Sequence, residues 1–288
     1  MISYRHHIVT LVAVFLALAV GVALGGGPLS DLGHDARPVS ATVQHRVTVQ
    51  RSAAYGDEFA AAVAPQLYAD GLRNRSVAIV TLPGADGDVV SELGAQVQAA
   101  GGTVASTYDL GRTLTDPSEK ALVDTLGRKL AGQLSSGAVS SEASTYVRAG
   151  ELVGVGVAGT TVPSSDAASV RATLAGGELM TSPQAAARGS VVLVVLGRST
   201  DPAILSGLVQ GLAARARGVV VAGDTASASP SGDLGRLRAS SVSAGAATVD
   251  GVDTQLGQVT AVLAVERAFT VQGGSFGASG SDGVVPLK

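Results

Sequence analysis

Val191-Val192-Leu193-Val194-Val195-Leu196 is the strongest strand signal in the chain: six apolar residues, four of them valine. A continuous run of this kind is the mark of a strand buried on both faces. Asp201-Pro202 then opens a helix. Asp stands as N-cap, and Pro takes the first helical position, where its missing N–H costs nothing. The periodicity carries that helix to about Arg217, and Gly218 leads into Val219-Val220-Val221-Ala222, a further strand. Strand, crossover helix and strand make one βαβ unit.

The same order appears upstream. Val77-Ala78-Ile79-Val80-Thr81-Leu82 ends at Pro83-Gly84 and reads as a buried strand. Val89 to Ala100 reads as a helix with Val89, Val90, Leu93 and Val97 on one face, closed by Gly101-Gly102. Thr103 to Leu110 follows as a strand. Between the units, Asp116-Pro117-Ser118-Glu119 is a helix start with an acidic cap. Helices are expected from about Ser140 to Leu152 and from Asp166 to Leu174. Leu256 to Phe269 is apolar and of ambiguous type, and from Gly273 onward the chain is Gly/Ser-rich and expected to be disordered. The predicted fold class is α/β, with a mainly parallel, Rossmann-like sheet carrying helices on both faces.

The N-terminus predicts a membrane anchor. Ile8 to Leu24 is a run of 17 uncharged residues interrupted only by Thr10 and Gly21. At about 1.5 Å per residue it spans roughly 26 Å, close to the hydrocarbon thickness of a bilayer. Arg5 precedes it, so the positive-inside tendency leaves the N-terminus in the cytoplasm and exports the rest. An uncleaved transmembrane helix is the first reading. A cleaved signal with Ala23-Leu24-Gly25 at its end is the second, although the apolar run is long for it. Gly25-Gly26-Gly27-Pro28 ends the apolar helix. A polar linker with Pro38 follows, and then a loosely helical stretch from Ala41 to Asp70. In that stretch Val43, Val47, Gln50 and Ala54 form a weak heptad-like stripe. It suits either a stalk pairing in a homodimer or a single helix packed on its own domain. The expected organisation is therefore 1–29 flank and anchor, 30–75 linker and short helical stalk, 76–272 extracytoplasmic α/β domain, and 273–288 tail.

Composition excludes several functions. Hydrophobic residues make up 46% of the 288, charged residues only 15%, and there are 38 Gly, no Trp and no Cys. A net charge of −3 with scattered Lys and Arg leaves no footprint for nucleic acid. The four histidines, His6, His7, His34 and His45, all precede residue 76. The α/β region therefore lacks general-base histidine, Ser-His-Asp and Cys-His arrangements and His-ligated zinc. No catalytic residue, cofactor or metal site is expected there, and the chain reads as a non-enzyme. Gly154-Val155-Gly156-Val157-Ala158-Gly159 does fit G-x-G-x-x-G, but a helix precedes it where the dinucleotide site needs a strand. Parallel sheets bind ligands beyond the carboxyl ends of their strands. Asp86 and Asp88 after the first strand, Arg198 after the third and Asp224 after the fourth are thus the candidate ligand edge. The competing reading makes the aspartates helix caps and turn starters and leaves Arg198 solvated.

The opening Met-Ile-Ser-x-Arg-x-His and the run from Ala13 to Gly25 resemble the actinobacterial MctB family, described as copper transport outer-membrane proteins and including SteB-like cell-envelope proteins. The resemblance continues in Gly218 to Asp224, in Val249 to Leu263 and in Gly273 to Gly280, so it covers essentially the whole chain. It implies copper efflux or homeostasis at the cell envelope. Its SteB-like members imply a different role, a scaffold binding a membrane protein partner in cell-wall assembly or division. Copper chemistry fits the residues poorly, because Cu(I) favours Cys and Met and Cu(II) favours imidazole. The exported region offers Met180, with His34 and His45 only in the linker and stalk.

Overall fold

The computed structural model describes residues 37–135, 137–159 and 162–287. The expected span Ile8 to Leu24 lies outside them. Among the described residues no helix is long and apolar enough to cross a membrane. The chain divides into two compact units, Met1–Gly56 and Asp57–Lys288. The described part of the first is helical. It belongs to α1 (Arg37–Tyr68), the helix expected from Ala41 to Asp70.

In the second unit a seven-stranded sheet has the order β3-β2-β1-β4-β5-β6-β7. The strands are β1 (Ser76–Thr81), β2 (Thr103–Leu110), β3 (Met180–Thr181), β4 (Val191–Val195), β5 (Gly218–Ala222), β6 (Ala247–Val249) and β7 (Ser275–Phe276). All pair in parallel except β3, which runs antiparallel to β2. The chain fills the sheet outward from β1 on one side and then from β4 on the other. The order therefore reverses between β1 and β4, the topological switch point of a Rossmann-like sheet.

Both faces of the central strands are covered, as the unbroken apolar runs require. Ala78, Val80, Val192, Val194, Val219 and Val221 point into one core, shared with α4 (Lys120–Ala131), α5 (Thr145–Val157), α6 (Ser164–Gly176) and α7 (Pro202–Ala213). Val77, Ile79, Val191, Leu193, Val195 and Val220 point into the other. There they meet α2 (Gly87–Ala99), α9 (Gln255–Arg267) and Ala60, Ala64 and Tyr68 at the end of α1. Leu256 to Phe269, ambiguous by pattern, is thus mostly helix. It is apolar nearly all round because α9 is buried on most of its surface.

Packing explains one glycine of the G-x-G-x-x-G match, Gly154. Gly154 and Gly156 lie inside α5, a helix buried along almost its whole length. A Cβ at Gly154 would stand 2.6 Å from the Cβ of Arg215, and one at Gly207 would stand 2.7 Å from that of Tyr146. A Cβ at Gly211 would fall on the Val147 carbonyl oxygen, and one at Gly150 on that of Leu208. Paired Gly-x-x-x-Gly spacings, 150/154 on α5 and 207/211 on α7, let two backbones cross in contact, as small residues do in tightly packed helix pairs.

The structure corrects other expectations. The helix expected to reach Arg217 stops at Ala213, and Arg217 Nε instead donates to the Phe269 carbonyl at 2.8 Å. The Gly-rich end expected to be disordered from Gly273 supplies β7, in which Phe276 is 3% exposed. Gly273, Gly274 and Gly277 take positive φ. Composition does not distinguish glycines that shape an ordered turn from glycines in a loose tail.

Candidate functional site at the carboxyl ends of the strands

The loops leaving β1, β4, β5 and β6 meet above the switch point. Arg198 N–H donates to the Pro83 carbonyl at 3.0 Å, tying the β4 loop to the β1 loop. Gly84 sits at φ +83°, in the left-handed region that favours glycine, and its missing side chain makes room for the stem of Arg198. Two clefts open there. One, of about 280 Å³, is lined by Gly84, Asp86, Gly197, Asp224, Val252 and Asp253 among others. The second, of about 350 Å³, is lined by Arg112, Thr115, Asp116, Arg198, Ser199 and Thr200, with Pro83 and Pro117.

The structure brings Asp86 and Asp224 together in the first cleft and places Arg198 in the second. Asp88 lines neither and lies in the first turn of α2. Asp86 and Asp224 each have a local structural partner. Asp86 is the N-cap of α2, its Oδ1 accepting from Asp88 N–H at 2.9 Å. Asp224 Oδ1 accepts from Ser227 N–H at 2.7 Å. Asp201 caps α7 through Ala203 and Ile204 N–H. In a dinucleotide-binding domain, the N-terminus of the first crossover helix faces a phosphate. Here the Asp86 carboxylate already occupies that end of α2, so the site favours no phosphate there.

Asp253, absent from the sequence expectation, belongs to the same edge. Its Oδ1 accepts from Thr225 N–H at 2.8 Å and from the Thr225 hydroxyl at 2.9 Å. Asp233 is a second omission: its Oδ2 accepts from Thr200 N–H at 2.8 Å and it pairs with Arg236, holding the β4 loop. The signal for Asp253 was the short run Ala247-Thr248-Val249 just before it, which is β6. Three residues are too few to stand out by pattern.

Among the described residues there is no group of three or more His, Cys, Asp or Glu placed to hold an ion. Met180 lies on β3 and is 1% exposed. Residues 57–288 contain no His and no Cys.

Fold and site together define an α/β domain of Rossmann-like strand order, with Asp86 engaged in a helix cap and Asp224 in a turn at the strand ends. The chain belongs to the MctB family, whose model, described as copper transport outer membrane protein, matches residues 1–286. It is 30% identical over 310 aligned positions to proteins named copper transporter MctB from Mycobacterium tuberculosis and Mycobacterium bovis, covering 98% of this chain and 96% of each relative. A protein of the same name from Mycobacterium leprae is 31% identical over 168 positions, covering 54% of this chain and 52% of the relative.

Proposed function

We propose that this chain is a non-enzymatic cell-envelope protein serving copper efflux or homeostasis, anchored in a membrane by Ile8 to Leu24 with its α/β domain outside the cytoplasm. The observation that carries this reading is the family match over residues 1–286, together with relatives named copper transporters along nearly their full length. The hydrophobic run supports the anchor. The family description supports an envelope location and leaves this chain's own membrane a proposal.

Donor chemistry limits how the domain acts. The one thioether in residues 57–288, Met180, is enclosed, and imidazoles occur only at His6, His7, His34 and His45. Copper taken up tightly by this domain would have only carboxylate, hydroxyl and carbonyl oxygens, which suit harder cations. We therefore place any copper contact on the N-terminal side or on a partner, and give the domain a supporting role.

Deletion of the gene is expected to sensitise cells to copper, with tolerance restored by the intact chain. Calorimetry of the purified protein from residue 30 onward with Cu(I) and Cu(II) is expected to give no tight stoichiometric binding by the α/β domain. Unchanged copper tolerance on deletion would sink the copper reading. It would favour the second reading, a scaffold for a membrane partner in cell-wall assembly or division, which the enclosure of Met180 also supports. That reading requires a co-purifying membrane protein and abnormal septation on deletion.

A further inference from the structure

Among the described residues, every arginine from Arg73 to Arg267 has a guanidinium hydrogen bond or ion pair, except Arg112 and Arg198. Those two line the same cleft of about 350 Å³. They reach it from different places in the chain. Arg112 opens the short helix α3 (Arg112–Thr115) after β2, and Arg198 follows β4.

We propose that this cleft is an oxyanion site, taking a small hydroxylated ligand by a phosphate or carboxylate group held between the Arg112 and Arg198 guanidiniums. Guanidinium presents a planar fork of donors that matches either oxyanion and, unlike an ammonium, holds its geometry. Among the described residues neither guanidinium is paired with a carboxylate, and the one carboxylate in the cleft wall has partners of its own. Asp116, in the cleft wall, accepts on Oδ1 from Ser118 N–H at 2.9 Å and from the Ser118 hydroxyl at 2.7 Å. Asp86 and Asp201 cap their own helices.

Arg198 is also positioned rather than loose. A Cβ at Gly84 would stand 2.5 Å from its Cγ and 3.1 Å from its Nε, so the side chain lies across the β1 loop in the space that glycine leaves. The cleft is shallow and open to solvent, with room for a small ligand beside the two exposed arginines. Thr115, Ser199 and Thr200 add hydroxyls to the wall, which suits a sugar phosphate or a sugar acid. Asp116 offsets part of the positive charge, so modest affinity is expected. The site stands apart from the copper reading: it uses no soft donor.

Calorimetry of the full-length protein in detergent at low ionic strength, with inorganic phosphate, a hexose phosphate and a uronic acid as separate probes, tests it. At least one probe is expected to saturate at about millimolar concentration or below. Arg198→Ala and Arg112→Ala are each expected to weaken that binding about tenfold or more, Arg198→Lys by less, and Arg128→Ala, at an exposed arginine paired with Asp124, not at all. Binding of the phosphates alone identifies a phosphate site, and binding of the uronic acid alone a carboxylate site. Failure of all three probes to saturate overturns the proposal. So does equal weakening by Arg128→Ala.

Discussion

Gly211 shows what a single side chain decides in this molecule. On α7 it faces the backbone of α5, where an added Cβ would meet the Val147 carbonyl oxygen, the Glu151 N–H and the Gly150 carbonyl carbon. Backbone atoms of a buried helix do not rotate aside as a flexible side chain does, so the two helices would have to separate. Overpacking of this kind costs about 1–3 kcal/mol, occasionally more. Gly211→Ala is therefore expected to lower the melting temperature by several degrees, measurable by circular dichroism. Gly176→Ala, where a Cβ meets open space, is expected to leave it nearly unchanged. The same residue type thus has opposite tolerance at two positions. The packing of Gly154 was not readable from spacing, because the residues it meets, Leu212 and Arg215, lie about 60 residues away.

At the scale of an element, the C-terminal strand is held by an ion pair rather than by length. β7 has two residues, too few for its ladder to hold it alone. Arg238, on α8 (Asp233–Arg238), pairs with Asp250 at 3.3 Å and donates to the Phe276 carbonyl at 2.7 Å and the Ser279 hydroxyl at 2.9 Å. Asp250 Oδ2 accepts from Ser279 N–H and from its hydroxyl. Their side chains are 12% and 2% exposed, so removing one partner strands the other charge away from water. Breaking such a pair costs about 3–5 kcal/mol. Asp250→Ala is expected to destabilise the fold by about that amount and to raise proteolytic cutting after Gln272. A variant that lost stability without increased cutting there would remove the clasp from this account. Long elements such as α2 and β2, and the unbroken apolar run of β4, were legible in advance. β3, β6 and β7 were not, because strands of two or three residues carry no periodic signal and exist only through their neighbours.

At the scale of the whole molecule, the buried phenols set an alkaline limit to stability. Tyr68 donates to Gln96 Oε1 at 2.8 Å and Tyr108 to the Ala187 carbonyl at 2.7 Å. Burial pushes the pKa values of Tyr68, Tyr108 and Tyr146 above the ordinary tyrosine value, because a phenolate would have to form away from water. A folded pKa raised above the unfolded value gives stability that is complete below about pH 10 and declines as the pH rises past it. The melting temperature is therefore expected to fall steeply between about pH 10 and 12, and Tyr68→Phe to flatten that fall. An equally steep fall in Tyr68→Phe would show that Tyr68 does not drive it.

The sequence by itself determined the α/β class, the parallel core strands, the aspartate-capped helix starts and the exclusion of histidine and cysteine chemistry. All of these rest on local pattern, on neighbours a few residues apart, or on residue types that are simply missing. Tertiary structure alone decided which loops share a cleft. Asp86 and Asp224 came together because β1 and β5 both flank β4. Arg112 met Arg198 because β2 and β4 both flank β1. Strand order is a long-range property set by how helices pack on the two faces of a sheet, and no window of residues encodes it.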